Sequence, residues 1–203
     1  METFDINHTS QQSRQVQLFD SKINTSTNLP HSNNLKVKKE TIMLWRNKIY
    51  NHQSKILENK QKTESQPSLL PEIQSFDEKK INPFALQPFA LSFWRTNQSV
   101  HHGPAMYYVI DNMENSKIIL YIGETNSANK RWKGEHDCKK YLINYKEALA
   151  INNLKSHQDI RFFLDVPKEV KLRRKLEHNL IYLWLPPFNK ETRGRWATTF
   201  TNN

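Results

Sequence analysis

Met106-Tyr107-Tyr108-Val109-Ile110 and Leu120-Tyr121-Ile122-Gly123 decide the fold. Both are short runs of aromatic and β-branched residues, and the polar stretch Asn112-Met113-Glu114-Asn115-Ser116 lies between them. That pattern predicts a β-hairpin with strands over 106–111 and 117–122. With 112–117 as the turn, antiparallel pairing sets Asp111 opposite Ile118, Ile110 opposite Ile119, Val109 opposite Leu120 and Tyr108 opposite Tyr121. Directly opposed residues share a face with Cβ atoms about 5 Å apart. Two phenols, Tyr108 and Tyr121, are therefore expected side by side, with Tyr107 and Ile122 on the other face, and the sheet is expected to have apolar cover on both sides.

Downstream of the hairpin, the spacing of apolar residues predicts helices over 127–136 and 139–152, the second carrying Tyr141, Leu142, Tyr145, Ala148 and Leu149 on one face, with Gly134 bending the first. A third strand is expected over 160–166, stopped by Pro167. A last helix over 169–185 carries Leu172, Leu176, Leu180 and Trp184 as its buried stripe and is stopped by Pro186-Pro187. The order ββααβα implies a small α/β (α+β) domain over 103–196: an antiparallel three-stranded sheet flanked by helices, with a tail over 197–203.

Upstream, residues 1–34 are rich in Asn, Ser, Thr and Gln without hydrophobic periodicity, so they read as a disordered tail. Residues 35–62 form a basic amphipathic helix with Ile42, Trp45, Ile49 and Ile56 at helical spacing. Its lysines are either a solvated face or a contact for DNA. Over 63–102, Pro67, Pro71, Pro83 and Pro88 punctuate a stretch containing Phe84, Phe89, Phe93 and Trp94, the pattern of an extended linker that lays aromatics on a neighbouring surface.

A formal charge of +10 over 203 residues points to a polyanionic partner, nucleic acid before membrane surface, because clustered cations displace counterions from phosphates. The longest apolar run, 180–185, is too short to span a bilayer and no secretory signal is apparent, so the expected location is cytoplasmic. One cysteine, Cys138, excludes an internal disulfide and a four-cysteine zinc site. His101, His102, His136 and Cys138 lack zinc-ligand spacing. Four dispersed glycines exclude a Gly-rich phosphate loop.

Tyr108 with Val109-Ile110, then Tyr121-Ile122-Gly123, Arg131 within Asn129-Lys130-Arg131-Trp132-Lys133, Glu177 and Asn189 follow one another in an order and spacing that resembles the GIY-YIG nuclease family over about 103–196. Met106 and Tyr107 stand where the family name has Gly and Ile. The resemblance implies endonucleolytic hydrolysis of DNA with one divalent ion, Mg²⁺ or Mn²⁺. Glu177 would be its ligand, since a hard ion that keeps several waters needs few carboxylates. It further implies Tyr108 as general base or water-orienting group, Tyr121 as a donor to the phosphate, and Arg131 as a clamp on developing charge. Asn189 would position substrate or brace the site.

Each residue also has an ordinary reading: cross-strand aromatic packing for the tyrosines, a surface cation for Arg131, a turn residue for Asn189, and for Glu177 a helical ion pair with Arg173 and Arg174. Where the family places His or Tyr one helical turn after the Arg, this chain has Glu135. His136 is the expected participant, because a second carboxylate would repel phosphate. Lys130, Lys133, Arg193 and Arg195 are the expected nucleic-acid contacts. Met106 and Glu135 keep a non-catalytic nucleic-acid-binding protein on a degenerate scaffold as the alternative, with an adaptor built on the 35–62 helix as a third.

Overall fold

β3 is an edge strand, and almost everything around it serves that edge. The structure, a computed structural model, describes residues 37–64, 81–95, 103–134 and 136–201; the tail expected over 1–34 and much of the linker expected over 63–102 lie outside them. The elements are α1 (Lys39–Glu64), β1 (Pro88–Ala90), β2 (Ala105–Asn112), β3 (Lys117–Thr125), α2 (Ala128–Lys133), α3 (Asp137–Ile151), β4 (His157–Phe163) and α4 (Val170–Trp184), with short 3₁₀ turns at Pro83–Ala85, Phe93–Arg95, Arg193–Trp196 and Thr199–Thr201. The fold is α+β. The sheet has four antiparallel strands in the order β1-β4-β2-β3, where the sequence predicted three. The extra strand is Pro88–Ala90, which pairs with Arg161, Ile160 and Asp159. Its prolines hid it, yet an edge strand is where a sheet tolerates proline.

Apolar layers cover both faces of the sheet. On one, Tyr107, Val109, Ile118 and Leu120 pack against Ile42, Trp45 and Ile49 of α1 and Tyr141, Tyr145 and Leu149 of α3. On the other, Met106, Tyr108, Ile110, Ile119 and Ile122 pack against Leu176, Leu180, Ile181 and Trp184 of α4. Leu172, expected in the α4 stripe, is exposed, because its neighbour Arg173 takes the buried position in the first turn of α4. At the other terminus Phe200 is buried among Trp45, Tyr145 and Phe188, so the expected tail closes the core.

The hairpin register holds through Asn112↔Lys117, Asp111↔Ile118 and Ile110↔Ile119, then shifts: Val109 pairs with Tyr121, Tyr108 with Ile122 and Tyr107 with Gly123. Leu120 is the extra residue of a β-bulge. Leu120 and Tyr121 consequently contact the same core layer, and the expected pairing of Tyr108 with Tyr121 is replaced by the sharing of one face by Tyr107 and Tyr121. Period-two alternation makes a one-residue slip invert every side chain beyond it.

α1 lies across the β3 edge and is fastened there. Gln53 Oε1 accepts the Ile119 N–H at 2.8 Å, and its Nε2 donates to the carbonyls of Ile119 and Trp184. Seven residues earlier on the helix, Arg46 donates to Asp111 Oδ2 at 3.0 Å and to the Tyr145 hydroxyl at 2.5 Å; that hydroxyl donates to Asp111 at 2.6 Å, and Ser156 bonds its other oxygen. Asp111 is fully buried. Stripping one partner from a buried ion pair leaves an uncompensated charge. Arg46→Ala should therefore lower stability by on the order of 3 kcal/mol, read as a reduced urea midpoint, while Lys48→Ala on the exposed side of α1 should move it by about 0.5 kcal/mol or less.

Candidate active site

Gly123 makes the site possible. A Cβ there would lie 2.4 Å from the Tyr107 ring and hydroxyl, so only glycine lets the phenol cross the neighbouring strand. Tyr107 then stacks on Tyr121 with ring centroids 5.9 Å apart. α2 ends at Gly134, whose extended backbone leads into His136, the N-cap of α3. His136 Nδ1 accepts the Cys138 N–H at 3.1 Å, which leaves Nε2 of the neutral ring as the donor to the Tyr107 oxygen, 2.9 Å away. Trp132 stacks on the imidazole with centroids 5.9 Å apart. His136 thus lies between Tyr107 and Trp132; Glu135 lies outside the described residues.

The Arg131 guanidinium interacts with the hydroxyls of both Tyr107 and Tyr121. Burial pushes the acidity of both phenols to higher pH, and Arg131 only partly opposes it. Burial, aided by the positive charges of Arg131 and Lys139, pulls His136 down to about 4, so it is neutral at physiological pH. The tautomers define a direction: His136 donates to Tyr107, Tyr107 is left to donate to Tyr121, and Tyr121 faces a cleft of about 490 Å³. That donor chain ends where an anion can enter.

Tyr108, the expected catalytic tyrosine, is fully buried on the opposite face, and its hydroxyl has no hydrogen-bond partner among the described residues. The bulge at Leu120 is the reason, and Tyr107 stands beside Tyr121 instead.

Asn189 braces the site and is not available to substrate. Its Oδ1 accepts the Ile122 N–H at 2.9 Å, its Nδ2 donates to the Ile122 carbonyl at 2.8 Å, and the side chain is buried. Beside it, Phe188 N–H bonds the Leu120 carbonyl at 3.0 Å.

Glu177 completes the same edge. Its Oε1 accepts the Glu124 N–H at 3.0 Å, turning the carboxylate of α4 inward. The helical ion pair with Arg173 or Arg174, the ordinary reading of Glu177, does not form among the described residues. Arg173, fully buried, donates to Glu124 Oε2 at 2.7 Å, to Asn126 Oδ1, and to the carbonyls of Pro167 and Lys168. Arg174 lies 3.9 Å from Glu124. An arginine on an otherwise apolar stripe is the only mark of that clamp in the sequence.

Burial foremost, with the negative charges of Glu124 and Glu191, raises Glu177 to about 7 against the pull of the Glu124 N–H and of Arg131. No group of three or more His, Cys, Asp and Glu converges among the described residues. A single inward, poorly solvated carboxylate with Oε2 to spare nevertheless fits a hard divalent ion that retains most of its water.

Of the expected nucleic-acid contacts, Arg193 lines the cleft and bonds the Tyr141 hydroxyl at 3.2 Å. Lys130 and Lys133 are exposed on α2, and Arg195 lies toward His52 of α1; none of the three lines the cleft. Lys140 and Lys190, which do line it, were not singled out by the sequence. Their separation in the chain carried no motif. Among the described residues no helix is long and apolar enough to cross a membrane. Comparison with protein-family models, curated proteins and solved structures finds no match to this chain.

Because the folded protein holds a proton on Glu177 up to about pH 7 and the unfolded chain releases it near 4.5, its contribution to stability is complete below 4.5 and is lost as pH rises through 7. Glu177→Gln mimics the protonated acid. Its melting temperature should exceed that of the parent protein by a margin that grows between pH 4.5 and 7 and is constant above, as followed by thermal denaturation in chelator.

Proposed function

We propose that the chain is a metal-dependent endonuclease that hydrolyses phosphodiester bonds in DNA, as its resemblance to GIY-YIG nucleases implies. The supporting observation is that Tyr121, His136 and Arg131 line one basic cleft with Tyr107 buried behind them, while the Glu177 carboxylate, outside the cleft lining, is electrostatically coupled to both Tyr121 and Arg131. In this reading Ala105-Met106-Tyr107 replaces Met106-Tyr107-Tyr108 as the counterpart of the family's first motif.

Glu177 would hold one Mg²⁺ or Mn²⁺ through Oε2. A divalent ion there supplies positive charge to the oxygen leaving phosphorus and acidifies neighbouring water. The remaining work belongs to the chain. Tyr121 O–H donates to a non-bridging phosphate oxygen, and Arg131 neutralises charge that accumulates on the same group as water attacks and the P–O bond to the departing oxygen breaks. The proton shed by the water passes to solvent, and the departing oxygen takes one up from solvent. Tyr107 is a positioning residue: its oxygen takes the His136 proton donor and the Arg131 contact, and its own proton is directed at Tyr121. Asn189, His136 and the Arg173–Glu124 clamp hold these groups still.

A second reading, nucleic-acid binding without cleavage, draws on the same electrostatics. Both phenols stay protonated at neutral pH, and the Tyr107 oxygen is already engaged by two donors, so no phenolate base is prepared.

Supercoiled plasmid nicking in Mg²⁺, Mn²⁺ or chelator separates the two. The endonuclease reading predicts metal-dependent nicking that falls about 10²–10³-fold in Tyr121→Phe or Tyr107→Phe, the usual loss when one preorganised donor is removed. Tyr108→Phe should cut at nearly the parental rate and be at least as stable, since it removes an unbonded buried hydroxyl. Divalent metal should raise the melting temperature of the parent protein and not that of Glu177→Gln. DNA binding without nicking under any of these metals selects the second reading.

A further inference from the structure

The cleft is too cationic for one phosphodiester. Among the described residues the lining holds four cations, Arg131, Lys140, Lys190 and Arg193, and one carboxylate, Asp137. A scissile phosphodiester carries one negative charge, and Arg131, the cation in contact with the tyrosine pair, is enough to match it. Lys140 comes from the first turns of α3, while Lys190 and Arg193 come from the segment that follows α4, so two distant parts of the chain converge on the same wall. Arg193 is oriented by its bond to Tyr141. At about 490 Å³ the cleft has room for more than the reacting group.

We propose that Lys140, Lys190 and Arg193 form an anchoring subsite for the phosphates that flank the scissile bond on one strand. This rests on the endonuclease reading and narrows its substrate class: the site takes a polynucleotide strand and does not accept an isolated phosphodiester. Cations spaced along a cleft match a backbone with one charge per residue, and each contact releases counterions, which makes affinity salt-dependent. Phe188 and Tyr141, also in the wall, are buried, so the three cations offer charge, and the aromatic rings open to the cleft are those of Tyr121 and His136 at the scissile position. The subsite therefore selects strand length.

The test measures binding of oligothymidylates two to six nucleotides long, in chelator so that cleavage plays no part, over a range of salt. For the parent protein, affinity should climb with each added phosphate up to about five nucleotides, which carry four internucleotide phosphates, and then level off. The K140M/K190M/R193M variant should lose that climb, and its slope of log K against log salt should be flatter by about 2, at roughly 0.7 for each single-strand phosphate contact. Arg193→Lys, which keeps the charge, should retain most of the slope.

Equal slopes in the parent and the folded triple variant, or affinity independent of strand length, overturn the subsite. So does displacement of the strand by tripolyphosphate that is equally effective in parent and variant. Failure of the endonuclease reading looks different: the slopes separate as described, yet plasmid is not nicked in Mg²⁺ or Mn²⁺. When both hold, the protein cuts strands and leaves bis(p-nitrophenyl) phosphate intact.

Discussion

An edge strand must satisfy the backbone groups it turns away from its sheet, and β3 meets that demand with side chains from three other parts of the chain. Gln53 bonds both polar groups of Ile119, Asn189 both polar groups of Ile122, and Glu177 the N–H of Glu124, while the Phe188 N–H takes the carbonyl of Leu120. The same bonds that close the edge also fix α1, the segment after α4, and the carboxylate of α4 at known heights along the strand. The site is therefore assembled by hydrogen bonding that the fold needs for its own sake.

The bulge is the second half of that arrangement. Without the extra residue at Leu120, Tyr121 would share a face with Tyr108, in the layer covered by α4 and far from α2 and α3. With it, Tyr121 joins Tyr107 on the face where Arg131 and His136 stand. Gly123 removes the steric obstacle that the new register creates. Electrostatics then divide the labour: buried phenols and a neutral imidazole conduct hydrogen bonding in one direction, and Glu177, raised to about 7, changes its charge near neutrality.

Much of this was legible in the sequence, for physical reasons that can be named. Element types and order from 103 to 185 follow from apolar periodicity and the Pro and Gly stops, and the Trp45 stripe marked α1 as docked. His136 followed from Gly134 interrupting α2. The choice between Tyr107 and Tyr108 did not follow, because bulges depend on tertiary partners such as Phe188, 68 residues away from Leu120 in the chain, which periodicity does not see. Strand β1 was hidden by proline. The roles of Arg173, Lys140 and Lys190 were hidden because a lone basic residue looks alike whether it faces water, a carboxylate or a cleft.

The claim on which the account turns is that Glu177 and the Tyr107–Tyr121 pair serve one centre. Ring-labelled tyrosine and histidine resonances followed during Mn²⁺ addition test it most directly, since a paramagnetic ion broadens nearby signals most. Tyr107, Tyr121 and His136 should broaden first, and Glu177→Gln should abolish the effect at the same metal concentration. Broadening that spares these three rings, or that persists unchanged in Glu177→Gln, would contradict it.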